Sequence, residues 1–494
     1  MNLRFLPLLA SALLFPLTAY ARPQGLRPQS LRLWATTQKA RQDYGLYMMN
    51  RKVGFMTMEF KLVPGSQASS RRVALSSTQV TLRLRKTSGS PDLTMLQEQS
   101  FALSGEGPLL SARLRTVENG RPTTYLLAPG APKSRDFRLT TWSGGRQIVR
   151  PSASPRETLE QARRMMEWLS AKRKKGEQFP YWSTSLDSAD FNSRETLVFR
   201  SQKRIAWGGL PSTVYDVTMR SRGTDFNALL RPNGMFVRGQ MSGIEVRAEN
   251  PEIAHDLSHS GVDLLAASLI RVNKPIGAPW NLSSLQLEAS GVPGLKLPQS
   301  RRQRVRQQGQ NFIINMKSEA PGNAPEVLSA AQRRKYLQST PSLQSDEPRI
   351  IKLARSIVGG ESDPLKQSQK LMRWVYTSMG QSMDVNSSTA LEVLATKTGD
   401  CTEHALLFTS LARAAGIPAR EVSGLAYIET PQPTFGWHAW SEINDGRGWI
   451  SIDPTWNEAR VDVSHIKFSD DVDDFSWTGA IGKLKLRVLD AKPN

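Results

Sequence analysis

Cysteine is nearly absent from this chain: Cys401 stands alone among 494 residues. A single thiol excludes any disulfide within the molecule. Long apolar runs are also missing after residue 21, and nothing there approaches the roughly 20 residues that a bilayer demands, so no transmembrane span is expected. Acidic side chains are scarce, with 44 Asp and Glu against 65 Lys and Arg, a formal charge of +21. Stacking-aromatic and helix-turn-helix signatures do not accompany the basic runs, so nucleic acid is not an expected partner. Disorder is excluded in turn, because an apolar content of 39% is adequate for a packed core. The length is too great for one ordinary core and suits two or three domains.

Met1 to Ala21 carry one basic residue (Arg4), an apolar stretch from Phe5 to Leu17, and Ala19-Tyr20-Ala21. Small residues at both ends of that triplet suit signal-peptide cleavage before Arg22. An N-terminal membrane anchor is the alternative, but Pro7, Pro16 and the short apolar core oppose it. No cysteine follows the cleavage site for lipid attachment. The expectation is an exported protein, periplasmic or extracellular. Exported chains usually carry cysteines in even numbers, since a leftover thiol in an oxidising compartment is a liability. An unpaired Cys at the start of a predicted helix therefore suggests a nucleophile.

The positive charge is unevenly spread. Thr389 to Arg460, which holds Cys401, has five basic residues against nine acidic ones, a net of −4. Basic clusters lie elsewhere, at Lys172 to Lys175, Arg301 to Arg306 and Arg333 to Lys335. Two readings stand for these: attraction to anionic cell-envelope polymers, or solvated surface loops.

From Tyr44 to Glu249 short apolar/polar alternations recur, for example Val53 to Leu62, Val73 to Leu84 and Thr213 to Met219. The turn pairs Asn119-Gly120, Gly144-Gly145 and Asn233-Gly234 punctuate them, which indicates antiparallel sheet in a sandwich or open barrel. One helix interrupts, about 157–172, with Leu159, Ala162, Met165, Met166 and Leu169 at helical spacing. Further strands are expected over 285–316. A β-rich accessory region thus covers 40–316, open to division into two subdomains. A linker with one short helix follows at 317–348, and then a mixed domain at 349–494. Within it Ile350 to Val358, Leu365 to Met379 and Ala390 to Thr396 read as helices, leading to the Gly399-Asp400 break.

Cys401 to Ala415 has helical periodicity, closed by Gly416 and Pro418. Cys401 then lies in the first turn, where free backbone N–H groups and the helix dipole favour a thiolate. Downstream, two strand-like runs flank Asp445-Gly446, the preferred two-residue hairpin turn. In that register His438 and Asp453 face each other directly, with Cβ atoms within about 5 Å. That suits a carboxylate orienting an imidazole, the second half of a Cys-His-Asp triad. The bland alternatives are a structural histidine between Trp437 and Ala439-Trp440, and a turn residue before Pro454.

Gly399-Asp400-Cys401, Leu411-Ala412-Arg413-Ala414-Ala415-Gly416-Ile417-Pro418-Ala419-Arg420, His438-Ala439-Trp440 and Asp453-Pro454-Thr455-Trp456 resemble, in order, the bacterial transglutaminase-like family. The resemblance covers about 350–460. It implies an α+β, papain-like catalytic domain in which a helix carrying Cys packs on an antiparallel sheet carrying His and Asp. It further implies Cys401 as nucleophile, His438 as general base and acid, and Asp453 as orienter. The mainly-β antiparallel region before it resembles accessory regions of exported members.

The expected function is that of an exported thiol enzyme acting on protein or peptide amides through a Cys thioester, an amide hydrolase or acyltransferase, with hydrolysis favoured over cross-linking. The competing expectation is a non-catalytic envelope-binding protein that uses the papain-like domain as a scaffold. The backbone N–H of Cys401 is a natural oxyanion donor; Trp437, Trp440 and Trp374 are candidates for a second, though each also suits the core. His404 shares a helical turn with Cys401 and reads as a packing residue. His255 and His259 echo a zinc motif but have Asp256 where Glu is required and no third ligand, and Asp470, Asp471, Asp473 and Asp474 lack the glycine and terminal Glu of a calcium loop. No metal or cofactor is expected.

Overall fold

The computed structural model describes residues 40–494 apart from 64–72, 86–91, 105–108, 132–135, 187–191, 208–209, 222–223, 233, 235, 242, 259–261, 264–268, 293, 319–326, 386, 430–431 and 471–479. The leader at 1–21, His259, Asp471, Asp473 and Asp474 lie outside the described residues. The described chain falls into two compact units, one of 263–494 and one of 40–84 with 92–262.

The N-terminal unit is built on a fourteen-stranded sheet. Its central strand Ala40–Met48 pairs with Arg51–Val63 on one side and with the last strand, Ile244–Glu249, on the other, Asp43 opposite Glu249. From this seam the chain's first eight strands run outward in order to Arg146–Ser152, and the remaining ones run the other way to Gln178–Thr184. The strands therefore form one continuous ladder and not two separate sheets. Alternation does the local work: on Leu109–Glu118, Ala112 and Leu114 are buried while Arg113 faces solvent. The expected helix forms over Leu159–Ser170, where Thr158 Oγ1 accepts the Gln161 N–H at 3.1 Å as N-cap. Leu159, Ala162 and Met166 pack against Phe60, Phe101, Leu103, Leu114 and Leu127.

The C-terminal unit holds helices Pro348–Val358, Pro364–Ser378, Ala390–Thr396 and Cys401–Ala414. Its main sheet runs Ile270–Arg271, Pro433–Asn444, Ala419–Glu429, Ile466–Ser469, with Trp449–Ile452 also paired to Pro433–Asn444. Helix Cys401–Ala414 is buried nearly all round, every residue from Thr402 to Ala412 being out of solvent. That pattern marks a central helix. Leu406, Phe408 and Leu411 share one core with Ile350, Leu371, Val375, Val393, Ile443 and Ile452. Thr409 Oγ1 and Ser441 Oγ, 2.9 Å apart, tie the helix to the sheet.

A second sheet lies in the same unit. Leu282–Ser290 sits between Asn311–Lys317 and the C-terminal strand Lys485–Pro493, with Leu287 opposite Val488. The border expected between 316 and 349 therefore falls inside this unit, because pairing with the chain's last strand draws 282–317 into it. The expected short helix of the 317–348 segment is Ala330–Leu337, opened by a Ser329/Gln332 capping box. No helix among the described residues is long and apolar enough to cross a membrane.

Candidate active site

Helix Cys401–Ala414 begins at a capping box. The Asp400 carboxylate accepts the Thr402 N–H at 2.8 Å, and Glu403 Oε2 accepts the Asp400 N–H at 2.9 Å. Glu403 Oε1 also accepts the Ser387 N–H at 3.1 Å, which pins the preceding loop. Gly399 is required by close approach, since a Cβ there would lie 2.4 Å from the Glu403 Cβ. The Gly-Asp-Cys order is thus a local necessity: room, cap, then the first helical residue. Cys401 is half-buried. The same helix end carries two buried carboxylates that oppose the dipole, so a thiolate there would call for a cation close by.

His438 is in position to supply it. Its ring is buried on strand Pro433–Asn444, with Nε2 2.7 Å from Asp453 Oδ2. Cys401 acts on the same ring from the helix start, and with Nε2 engaged by Asp453 the nitrogen left to meet the sulfur is Nδ1. Burial disfavours the imidazolium, but the charges of Asp453 and Cys401 and the hydrogen bond to Asp453 outweigh it and push His438 up to about 10. Burial would raise the Asp453 carboxyl, yet His438 and His465 hold it well below the usual carboxylate range. Trp456 stacks on the His438 ring at 4.2 Å and 11°.

The hairpin differs from the expected one. Asn444 pairs with Trp449 and Ser441 with Ile452, so the turn is Asp445 to Gly448 and the register is wider by two residues. The cause is side-chain capping: Asp445 Oδ1 accepts the N–H groups of Arg447 and Gly448 at 2.9 and 3.2 Å, and Asn444 Oδ1 that of Gly446 at 2.9 Å. His438 and Asp453 are consequently diagonal, not directly opposed. They remain on one face, because a shift of two preserves the side. Asp453 is fixed beyond the strand end by paired backbone hydrogen bonds with Glu458, 2.9 Å in each direction, and its Oδ1 accepts the Thr455 N–H at 2.7 Å.

Sequence reasoning missed His465. The ring is completely buried, with Nε2 3.4 Å from Asp453 Oδ2 and Nδ1 3.2 Å from Asp462 Oδ1. Nothing local marks it except a flanking Asp462, since it lies beyond the last motif. His404 is buried in the helix's first turn, its Nδ1 2.8 Å from the Asp400 carbonyl, and burial lowers its pKa. That matches a packing residue. Trp440 is fully buried, Trp437 packs edge-on to Phe468 at 4.9 Å, and Trp374 joins the helical core. Arg302, from the basic run 301–306, is internal: its Nη1 donates to the His465 carbonyl at 2.8 Å and its Nη2 to that of Asp462.

The remaining candidates have other partners. His255 lies in the N-terminal unit, 2.8 Å from the buried Asp43 carboxylate and stacked on Phe55. Asp470 accepts from Arg420 and Lys467 at 2.9 and 2.6 Å. Two sets of side chains, His438/Asp453/His465 and Glu458/Asp462/His465, bring ligand atoms within 4.8 Å of one another, but within both the nitrogens and carboxylates already pair with each other.

Comparison with known proteins gives a family match over part of the C-terminal unit. The model of the Transglutaminase-like superfamily, a superfamily of thiol enzymes, matches residues 351–454. An uncharacterized protein of Haemophilus influenzae is 35% identical over 106 residues, which is 20% of this chain and 28% of that protein, so the chain spans little more than a quarter of that relative's length. Among solved structures, a candidate cysteine protease from Cytophaga hutchinsonii is 17% identical with a TM-score of 0.30, covering 46% of this chain and 86% of its own. The periplasmic domain of TgpA from Pseudomonas aeruginosa, bound to ethylmercury, is 18% identical with a TM-score of 0.28, covering 38% and 89%. Scores that low carry no argument, and the assignment rests on the family model. Residues 351–454 of this α+β chain form a transglutaminase-like domain, carried with a β-rich N-terminal region.

Proposed function

We propose that this chain is an exported cysteine-dependent enzyme that opens amide bonds of proteins or peptides through a thioester on Cys401. The observation that carries the reading is the buried His438–Asp453 pair at 2.7 Å, whose imidazole feels the charge of a half-buried thiol at a helix start. An imidazole pushed up to about 10 keeps its proton at neutral pH, which favours a thiolate–imidazolium pair.

The thiolate of Cys401 attacks the carboxamide carbon, and the C=O electron pair moves onto oxygen, toward the backbone N–H of Cys401. As the oxyanion collapses the C–N bond breaks, and the proton on His438 passes to the departing amine. The thioester is then opened by water, whose proton returns to His438 as the C–S bond breaks and the thiolate is regenerated. A primary amine in place of water yields a transferred product. The triad serves either outcome, with the acceptor site and its access to water deciding between them, and hydrolysis is the one we propose. Export rests on the leader-like residues 1–21, and anionic envelope polymers are the proposed surroundings for a chain of charge +21.

Incubating envelope proteins and peptides with the enzyme and a labelled primary amine, followed by mass spectrometry, tests the reading. New termini indicate peptidase action and label incorporation indicates transfer. The absence of both, with wild type and Cys401→Ala behaving alike, would overturn it in favour of a binding scaffold.

A further inference from the structure

We propose that His465 is a positioning residue of this site, a buried imidazolium that clamps the Asp453 carboxylate and shares its charge with His438. This rests on the reading of Cys401, His438 and Asp453 as the working triad. Both ring nitrogens of His465 face carboxylates, Nε2 toward Asp453 Oδ2 at 3.4 Å and Nδ1 toward Asp462 Oδ1 at 3.2 Å, with Glu458 Oε2 at 3.9 Å. A neutral imidazole has one N–H and would set a bare nitrogen against a carboxylate. Only the imidazolium bonds both. The ring is fully buried, so water does not relieve the mismatch.

The charges around it point the same way. His465 meets Asp453, Asp462 and Glu458 on its ring edges, His438 with ring centroids 5.6 Å away, and the rings of Trp440 and Trp456 at 5.3 and 5.4 Å. Arg302 spends its guanidinium on the carbonyls of His465 and Asp462 and so holds the backbone of this loop. Burial, only partly countered by His465, pushes Glu458 up to about 7, with Asp462 and Asp453 adding to the rise. The cluster is short of cations, and His465 is its cationic ring besides His438.

The consequence falls on His438. A single buried imidazolium facing an unshared carboxylate holds its proton tightly, whereas a general acid must surrender it to the leaving amine. A second imidazolium on the same Oδ2 divides that attraction and repels the first. Asp453 is meanwhile held by three donors, Thr455 N–H on Oδ1 and two rings on Oδ2.

The test is ¹⁵N NMR of histidine side chains in the full chain, with His465→Gln and His465→Phe, alongside iodoacetamide alkylation of Cys401. In the wild type two histidines, His438 and His465, keep both nitrogens protonated at pH 7, and one of these two signals vanishes from both variants. The pH at which His438 releases its proton rises in both variants by about half a unit, roughly threefold in its acid constant. His465→Gln retains an amide donor for Asp453 and alkylates within about threefold of wild type at pH 7, while His465→Phe is about tenfold slower. A purely structural role lowers the melting temperature without moving His438. A neutral His465 at pH 7, or a His438 midpoint unmoved in both variants, overturns the proposal; if the Phe variant does not fold, the Gln variant carries the test. Failure of the amine-labelling experiment with these NMR results intact would refute the reaction and leave the clamp standing.

Discussion

Asp453→Asn separates charge from shape in the candidate site. Asn has the size of Asp, offers Oδ1 to the Thr455 N–H, and leaves the strand end and the Glu458 backbone pairing unaltered. What it removes is the negative charge on which the His438 proton depends. The gap between the ordinary 6.5 of histidine and about 10 in this site corresponds to roughly 5 kcal/mol of preference for the imidazolium. Burial opposes that preference, and the charge of Asp453 is the foremost influence overcoming it. Without it burial prevails, the His438 ring is neutral at pH 7, and the thiolate loses its partner. An ordinary thiol is about 0.3% thiolate at pH 6. The greater intrinsic nucleophilicity of a more basic thiolate returns roughly thirtyfold of that loss, leaving alkylation about tenfold slower. The shape of the profile is more telling than the single rate. Wild-type alkylation by iodoacetamide is expected to be nearly flat between pH 6 and 8, whereas the Asn variant climbs about tenfold per pH unit. Thermal unfolding measured in parallel excludes global damage. A folded Asp453→Asn protein with a flat profile would refute the reasoning outright.

Two further expectations concern stability. Glu442 is buried between Arg420 at 2.6 Å and Lys467 at 2.9 Å, and although burial opposes it these cations hold its carboxyl at about 2. Glu442→Ala leaves Arg420 and Lys467 to share the exposed Asp470 alone, so the urea midpoint should fall by an amount equivalent to about 3 kcal/mol, and a loss under about 1 kcal/mol would contradict the network. In the N-terminal unit, burial raises Glu157 from 4.5 to about 8, against the Thr184 N–H at 2.8 Å that it accepts. Its folded carboxyl stays protonated while the unfolded one ionises, so stability declines as pH rises from 4.5 to 8. Glu157→Gln lifts that penalty while keeping the acceptor. The gain in unfolding free energy, read from urea titrations, should be near zero at pH 4.5 and grow to at most roughly 5 kcal/mol at pH 8, and a pH-independent gain would contradict the assignment.

What was legible in the sequence was local or parity-based. The helix starting at Cys401 announced itself through Gly399, Asp400 and the apolar stripe because capping and periodicity act within a few residues. Strand alternation likewise exposed the β-rich region, and the five residues singled out at helical spacing in Leu159–Ser170 are the five that the helix buries. Features depending on distant chain were hidden. The sheet joining Leu282–Ser290 to Lys485–Pro493 crosses some 200 residues, and nothing in either strand names its partner. Arg302 reaches the loop of Asp462 and His465 from 160 and 163 residues away, and a run of arginines looks the same whether it faces water or a buried carbonyl.

The hairpin error shows which mistakes matter for a candidate site. Asn444 and Asp445 cap backbone N–H groups with their side chains, which lengthens the turn to four residues and slides the register by two. Side chains on a strand alternate with period two, so this slip changed a direct pair into a diagonal one and left His438 and Asp453 on the same face, 2.7 Å apart at their polar atoms. A slip of one residue would have put them on opposite faces and erased the pair. The arrangement of Cys401, His438 and Asp453 was therefore robust to an uncertain turn length but not to its parity. His465 had no such protection: it arrives on a separate loop, after Asp453 has left the strand, where no repeat period constrains which face a side chain takes.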